Sequence, residues 1–156
     1  MKVRDLMVQE VERLAPDAMV AEAAARLRGG AGAGAGNMPS LLVMESGKLL
    51  GIVTLSDIIR TAIPPYMLQD PHLAHLGWDG LLEEGSRLAQ SRPVREVMSA
   101  DVVTIDADAY LTEAAELLLT RRIHSIPVTR GGTVVGILYL SDLARAAFAR
   151  LEDPSR

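Results

Sequence analysis

The chain has 156 residues, a hydrophobic fraction of 49% and a formal net charge of −4, enough for one well-buried domain or two small repeats sharing a core. The acidic balance offers no basic face for nucleic acid, and the absence of cysteine removes disulfides, cysteine zinc sites and thiol nucleophiles together. The charged opening Met1-Lys2-Val3-Arg4-Asp5 is not a signal peptide, no segment nears the ~18 apolar residues of a membrane span, and a cytoplasmic location without membrane insertion is expected.

Residues 3–7 read as a helical turn and Val11 to Leu14 as a short strand ended by Pro16-Asp17. Met19 to Leu27 reads as an alanine-rich helix. A low-complexity glycine-alanine loop follows over residues 29–36. It follows a helix instead of leading from a strand into one, so it is read as a loop and not as a phosphate cradle. Leu41 to Met44 and Lys48 to Val53 form a hairpin around Ser46-Gly47. The apolar, β-branched run Gly51 to Leu55 leads into a helix, with Ser56 and Asp57 as N-cap residues before Ile58. That helix stops before Pro64-Pro65. In the insert that follows, Asp79 to Leu88 reads as one helix and Trp78 as its packing anchor. His72 and His75, with Asp70 and Asp79 near, lack a further ligand pair of matching spacing, so no metal site is assigned.

The writing then repeats. Val3-Arg4-Asp5-Leu6-Met7 returns as Val94-Arg95-Glu96-Val97-Met98, and Gly51 to Arg60 returns as Gly136 to Arg145. The second copy reads as strand Val102 to Ile105, helix Leu111 to Thr120, strand Ile126 to Thr129, hairpin Arg130-Gly131-Gly132, strand Thr133 to Tyr139 and helix Asp142 to Ala149. Each repeat is β-α-β-β-α. The expected organisation is repeat one over 1–62, a helical insert over 63–93, repeat two over 94–150 and a tail over 151–156. The fold class is α+β, with the repeats packed sheet to sheet about a pseudo-two-fold axis because one alone buries too little surface.

The repeated Gly-to-Asp motif, the charged-apolar-Met opening, the Asp-containing turn before the alanine-rich helix and Ile126-Pro127-Val128 together resemble the CBS domain, named after cystathionine β-synthase. Two copies resemble a CBS pair, or Bateman module. The resemblance covers residues 3–62 and 94–149. It implies a regulatory module that senses AMP, ADP, ATP or S-adenosylmethionine in clefts between the repeats and signals to an effector protein whose identity the sequence does not name. The adenosine compound is the regulatory ligand, and no cofactor is expected. The alternative is a ligand-free dimerisation or docking scaffold. No nucleophile with a base and a third orienting group is visible, so the chain is not read as an enzyme.

The resemblance implies two unequal sites. The first takes Thr54, Ser56 and Asp57 from repeat one, with Val102 and Val103 beside the base. Arg122, Ile123, His124, Ser125 and Pro127 complete it, with Arg121 or Arg122 and His124 toward a phosphate. A carboxylate accepts both ribose hydroxyls, Arg offers a bidentate fork, and His offers a charge that depends on pH. The second site pairs Ser141 and Asp142 with Leu14, Asn37, Met38 and Pro39, and reads as degraded. Tyr139 replaces the small hydroxyl residue, Leu41 aligns with Pro127, and Met38 stands opposite His124. Asp57 and Asp142 also read as plain helix caps, and both roles stay open for them. Leu143, Ala146 and Ala147 leave apolar surface on the second repeat's helices. A homodimer through the paired helices of the repeats is therefore expected, with the insert adding surface.

Overall fold

The computed structural model describes residues 1–29, 39–70, 72 and 78–152. Most of the glycine-alanine loop, Asn37, Met38, His75 and the residues from 153 onward lie outside them. The chain divides into two compact units. One contains the described residues of Met1–Glu12 and Asp101–Arg156, the other those of Arg13–Ala31 and Pro39–Ala100.

The second of these units contains β1 (Arg13–Leu14), α1 (Val20–Gly29), β2 (Ser40–Glu45), β3 (Lys48–Thr54), α2 (Leu55–Ala62), α3 (Pro65–Gln69) and α4 (Trp78–Gln90). The other contains β4 (Ile105–Asp106), α5 (Leu111–Arg121), β5 (Ser125–Arg130), β6 (Thr133–Tyr139) and α6 (Leu140–Glu152). Each unit has one three-stranded sheet, in which a short parallel strand joins an antiparallel hairpin. Both hairpin turns place two successive residues at positive φ. They are Ser46 (51°) with Gly47 (76°), and Gly131 (57°) with Gly132 (81°). Such a turn matches the right-handed twist of the strands it joins.

The cores follow the repeat position by position. Leu14, Ala23, Leu27, Leu41, Val43 and Val53 are buried in one unit. Their counterparts Ile105, Ala114, Leu118, Ile126, Val128 and Leu138 are buried in the other. The seventh position is exchanged. Val3 completes the core built on β4–β6, and Val94 completes the core built on β1–β3.

The exchange carries the same hydrogen bonds in both directions. Val3 N donates to Ala109 O (3.0 Å) and Arg4 N to Ala107 O (2.9 Å). Val94 N donates to Ala18 O (2.7 Å) and Arg95 N to Pro16 O (3.2 Å). Val8 exchanges both backbone bonds with Ile137, and Ser99 does so with Ile52. Arg4 pairs with Asp108 and Arg95 with Asp17, both exposed and therefore of small weight. The glycine of each repeated motif now has a cause. A Cβ on Gly51 would lie 2.8 Å from Met98 Cγ, and one on Gly136 would lie 2.7 Å from Val8 O. The chain opening of each repeat crosses the other repeat's last strand at the one residue without a side chain.

Several boundaries differ from the sequence expectation. The helix expected to begin at Ile58 begins at Leu55, so Thr54 is the N-cap and Asp57 stands at the third helical position. The strand expected over Val102 to Ile105 is reduced to β4, and residues 102–104 stand outside the ladder. The insert holds α3 besides the expected α4. Register corrects the alignment of the repeats. Ser40 faces Thr54 as Ser125 faces Tyr139, so Leu42, not Leu41, corresponds to Pro127, and Pro39, not Met38, corresponds to His124.

Candidate functional site

Asp57 is 7% exposed although it carries a carboxylate. Its Oδ2 accepts the Thr54 backbone N–H at 2.8 Å and the Thr54 hydroxyl at 3.1 Å. This is the reciprocal arrangement of a capping box, in which an acid at the third helical position holds the N-cap backbone. The Asp57 backbone carbonyl accepts the Thr61 hydroxyl at 2.6 Å. Oδ1 is held more loosely, with Ser99 Oγ at 3.5 Å and Arg60 Nη1 at 4.0 Å. One carboxylate oxygen therefore serves the fold, while the other meets only long contacts. The capping role thus falls on Oδ2 and leaves Oδ1 to Ser99 and Arg60.

Ser99 was not among the residues singled out from the sequence. It reaches Asp57 because Val94–Met98, the exchanged opening segment, delivers it to β3. The signal was present in the recurrence of Val3–Met7, whose next residue is Val8. In the other unit Val8 thus holds the position of Ser99, and Tyr139 holds the position of Thr54. Tyr139 is buried, and Asp142 pairs with Arg145 one helical turn on. Two small hydroxyl residues of the Asp57 unit are thus replaced in the unit of Asp142.

Thr54, Ser56 and Asp57 lie in one compact unit. Val102, Val103, Arg122, Ile123, His124, Ser125, Pro127, Tyr139, Ser141 and Asp142 lie in the other. Ser56 and His124 are exposed, Ser125 and Pro127 are buried, and Val102 and Val103 are half-buried. Val103 packs against its own unit's core. The His124 carbonyl accepts the Leu140 N–H at 2.9 Å, which fixes the approach to β5 against the start of α6. Ile137 gives both backbone groups to Val8, so Pro127 opposite it forms a pair without hydrogen bonds to β6. The donor that proline lacks is not needed by that ladder.

Arg122 has φ 53° and ψ 43° and ends α5. Ile123 N donates to Leu118 O at 3.0 Å and Arg122 N to Leu119 O at 3.3 Å, closing the helix in the manner of a Schellman motif. Glycine is the usual residue there, since a side chain in this conformation costs about 1 kcal/mol. Among the described residues no cluster of His, Asp and Glu suited to a metal ion is found. No helix of the described residues is long and apolar enough to cross a membrane.

The family model for the CBS domain matches residues 3–63 and 94–149. The chain belongs to the CBS domain family. Two copies make it a CBS domain pair, and such pairs are in general regulatory modules rather than enzymes. The CBS domain-containing protein YhcV of Bacillus subtilis is 29% identical over 143 residues, which span 91% of this chain and 82% of that protein. The CBS-domain containing protein ATU1752 from Agrobacterium tumefaciens superposes with a TM-score of 0.69 at 21% identity, covering 94% of this chain and 99% of that one. The CBS domain pair of protein MJ0100 superposes with a TM-score of 0.69 at 21% identity, covering 96% and 98%. Its structure is a complex with 5′-methylthioadenosine and S-adenosyl-L-methionine. At these identities the two structural likenesses bear on the fold alone.

Proposed function

We propose that this CBS pair is a cytoplasmic, homodimeric regulatory module that binds one adenosine-containing ligand and passes its state to an effector protein. The observation that carries the reading is the buried Asp57 carboxylate, with Oδ2 engaged by Thr54 and Oδ1 left to long contacts. A ribose presents two adjacent hydroxyl donors, and each bond to a carboxylate is worth ~1.5–3 kcal/mol. Thr54 and Ser56 stand beside that carboxylate in sequence. In this reading Val102 and Val103 supply backbone groups to the base, supported by their position outside any ladder. Ile123, Ser125 and Pro127 shape the wall around them. Arg122 and His124 meet the phosphate or sulfonium end. The methylthioadenosine and S-adenosylmethionine held by the MJ0100 pair are consistent with an adenosine ligand without selecting one.

A second reading is a scaffold without ligand, favoured by the capping box itself, which gives Asp57 a sufficient structural role. Thermal denaturation of the purified chain with AMP, ADP, ATP, S-adenosylmethionine and 5′-methylthioadenosine separates the two. Binding to the folded state raises the Tm by mass action, about 2.7 kcal/mol of stabilisation at a hundredfold excess over Kd. No shift with any of the five at millimolar concentration would leave the scaffold.

A further inference from the structure

The insert helix α4 comes back to Asp57 by two routes. It lies along the groove between α1 and α2, where Ser86 and Ala89 stand beside Val20, Ala24, Ile58 and Ala62. Among its described residues the buried ones are Gly85 and Ala89. Among the described residues of the other unit no helix lies in this way over α5 and α6.

The first route is α2. Asp57 stands in its first turn, and the helix runs about two turns to Ala62. The Thr61 hydroxyl on the Asp57 carbonyl (2.6 Å) and the Ile63 N–H on the Ile59 carbonyl (3.1 Å) tie those turns together. Gly85 then meets Ala62 backbone to backbone. A Cβ on Gly85 would lie 2.7 Å from the Ala62 carbonyl carbon and 3.0 Å from its Cα. No side chain stands between the two to absorb a tilt or slide of α2.

The second route leaves from the C-terminal end of α4. Arg92 N donates to Ala89 O at 3.1 Å, and Arg92 O accepts from Val20 N at 2.9 Å. Val94 is buried in the core built on β1–β3, and Ser99 exchanges both backbone bonds with Ile52 of β3. The Ser99 hydroxyl ends 3.5 Å from Asp57 Oδ1. The long contacts of Oδ1, to Ser99 and to Arg60, are thus the slack place in a closed circuit of packed backbone.

α4 is suited to register a small change in that circuit. A helix of 13 residues is marginal by itself in water, and Gly80 and Gly85 weaken it further, so its seat on α2 supplies its order. Neither core cluster contains a described residue of α4, so the helix can loosen without the unit unfolding.

We infer that α4 is a conformational readout of the Asp57 carboxylate, in which whatever holds Oδ1 sets how firmly α2 and residues 91–99 seat the insert helix. This deepens the regulatory reading and rests on it for the trigger, an adenosine compound at Oδ1. A hydroxyl bound there fixes Asp57 and the first turn of α2, and so tightens the seat of α4 on Ala62.

Hydrogen exchange of the full chain, read at α4, tests the inference with and without a ligand. Asp57→Asn keeps the shape of the side chain and removes the charge that steadies the start of α2. In that variant α4 should exchange about two- to fivefold faster while α5 in the other unit is unchanged. Gly85→Ala drives α4 off Ala62, so α4 should again exchange faster, and adding Asp57→Asn to it should change α4 no further. When AMP or S-adenosylmethionine is bound, as calorimetry reports, α4 of the wild type should exchange more slowly, and Gly85→Ala should bind without that protection. Unchanged exchange at α4 in Asp57→Asn, equal acceleration of α4 and α5, or additive effects in the double variant overturns the inference. Binding without protection of α4 in the wild type overturns it as well and spares the ligand reading. Failure of both compounds to bind counts against the ligand reading alone, and the Asp57→Asn comparison then decides the inference by itself.

Discussion

Equivalent residues of the two repeats face different surroundings, and the aspartates show it most clearly. Asp57 has the Thr54 hydroxyl and Ser99 about it, while Tyr139 and Val8 occupy those places in the unit of Asp142. A capping role alone predicts similar behaviour for both. The ligand reading predicts that Asp57→Ala lowers affinity for the best adenosine ligand by about ten- to a hundredfold, the loss of one charge-assisted hydrogen-bonded group. Asp142→Ala should cost about 1 kcal/mol of stability and leave affinity near wild type. Titration calorimetry of both variants decides it, and a larger affinity loss for Asp142→Ala would mean the wrong carboxylate has been chosen. Arg122 supplies a second contrast. Replacing it by Gly removes the left-handed penalty and should stabilise the chain by about 0.5–1 kcal/mol. If its guanidinium meets a phosphate, the same variant should bind AMP more weakly than wild type, yet bind adenosine equally well. Lower stability for Arg122→Gly would show that the side chain packs more than it strains.

Among the elements, the exchanged segments do most to define the units. Residues 3–8 and 94–99 are too short to hold structure alone, and each becomes ordered by burying one valine and pairing one residue with a strand of the other repeat. The two crossings differ in hardness. At Gly136 a new Cβ would strike the Val8 backbone oxygen, which the Ile137 bonds hold in place. At Gly51 it would first meet the Met98 side chain, which has rotamers to spare, and then the Ser99 oxygen at 3.0 Å. Gly136→Ala should therefore destabilise by about 2–3 kcal/mol and Gly51→Ala by about 1 kcal/mol. Urea midpoints of the two variants compare them directly, and equal losses would show that Met98 cannot move aside.

Across the whole molecule the repeat is broken in two places. The first is chemical: Thr54 and Ser99, which meet Asp57, are replaced by Tyr139 and Val8 in the unit of Asp142. The second is architectural: the insert helix α4 lies over one helical face, and among the described residues no helix lies over the other. Within the unit of Asp57, α2 starts at the Asp57 cap and ends against Gly85 of α4.

The sequence by itself determined the family, the two repeats, the type of nearly every element and the two unequal aspartates, because these rest on local patterns. Apolar periodicity, turn glycines and cap residues act within a few positions of one another. It also carried the replacement of a threonine by Tyr139, which is legible without coordinates. Tertiary structure alone decided the exchange of Val3 and Val94, the arrival of Ser99 at Asp57 and the purpose of Gly51 and Gly136. Each of these is a close approach between residues more than forty positions apart, and no local pattern reports which segment fills a gap. The one-residue slip that set Leu41 against Pro127 has a different origin. The glycine-alanine loop lengthens the first repeat, but the offset from Gly51 to Gly136, carried back through hairpins of equal length, already sets Leu42 against Pro127, as the ladder registers Ser40 with Thr54 and Ser125 with Tyr139 show. The covering of one groove by α4 depends on Gly85 meeting the end of α2, a contact that helix periodicity allows at many angles and packing allows at one.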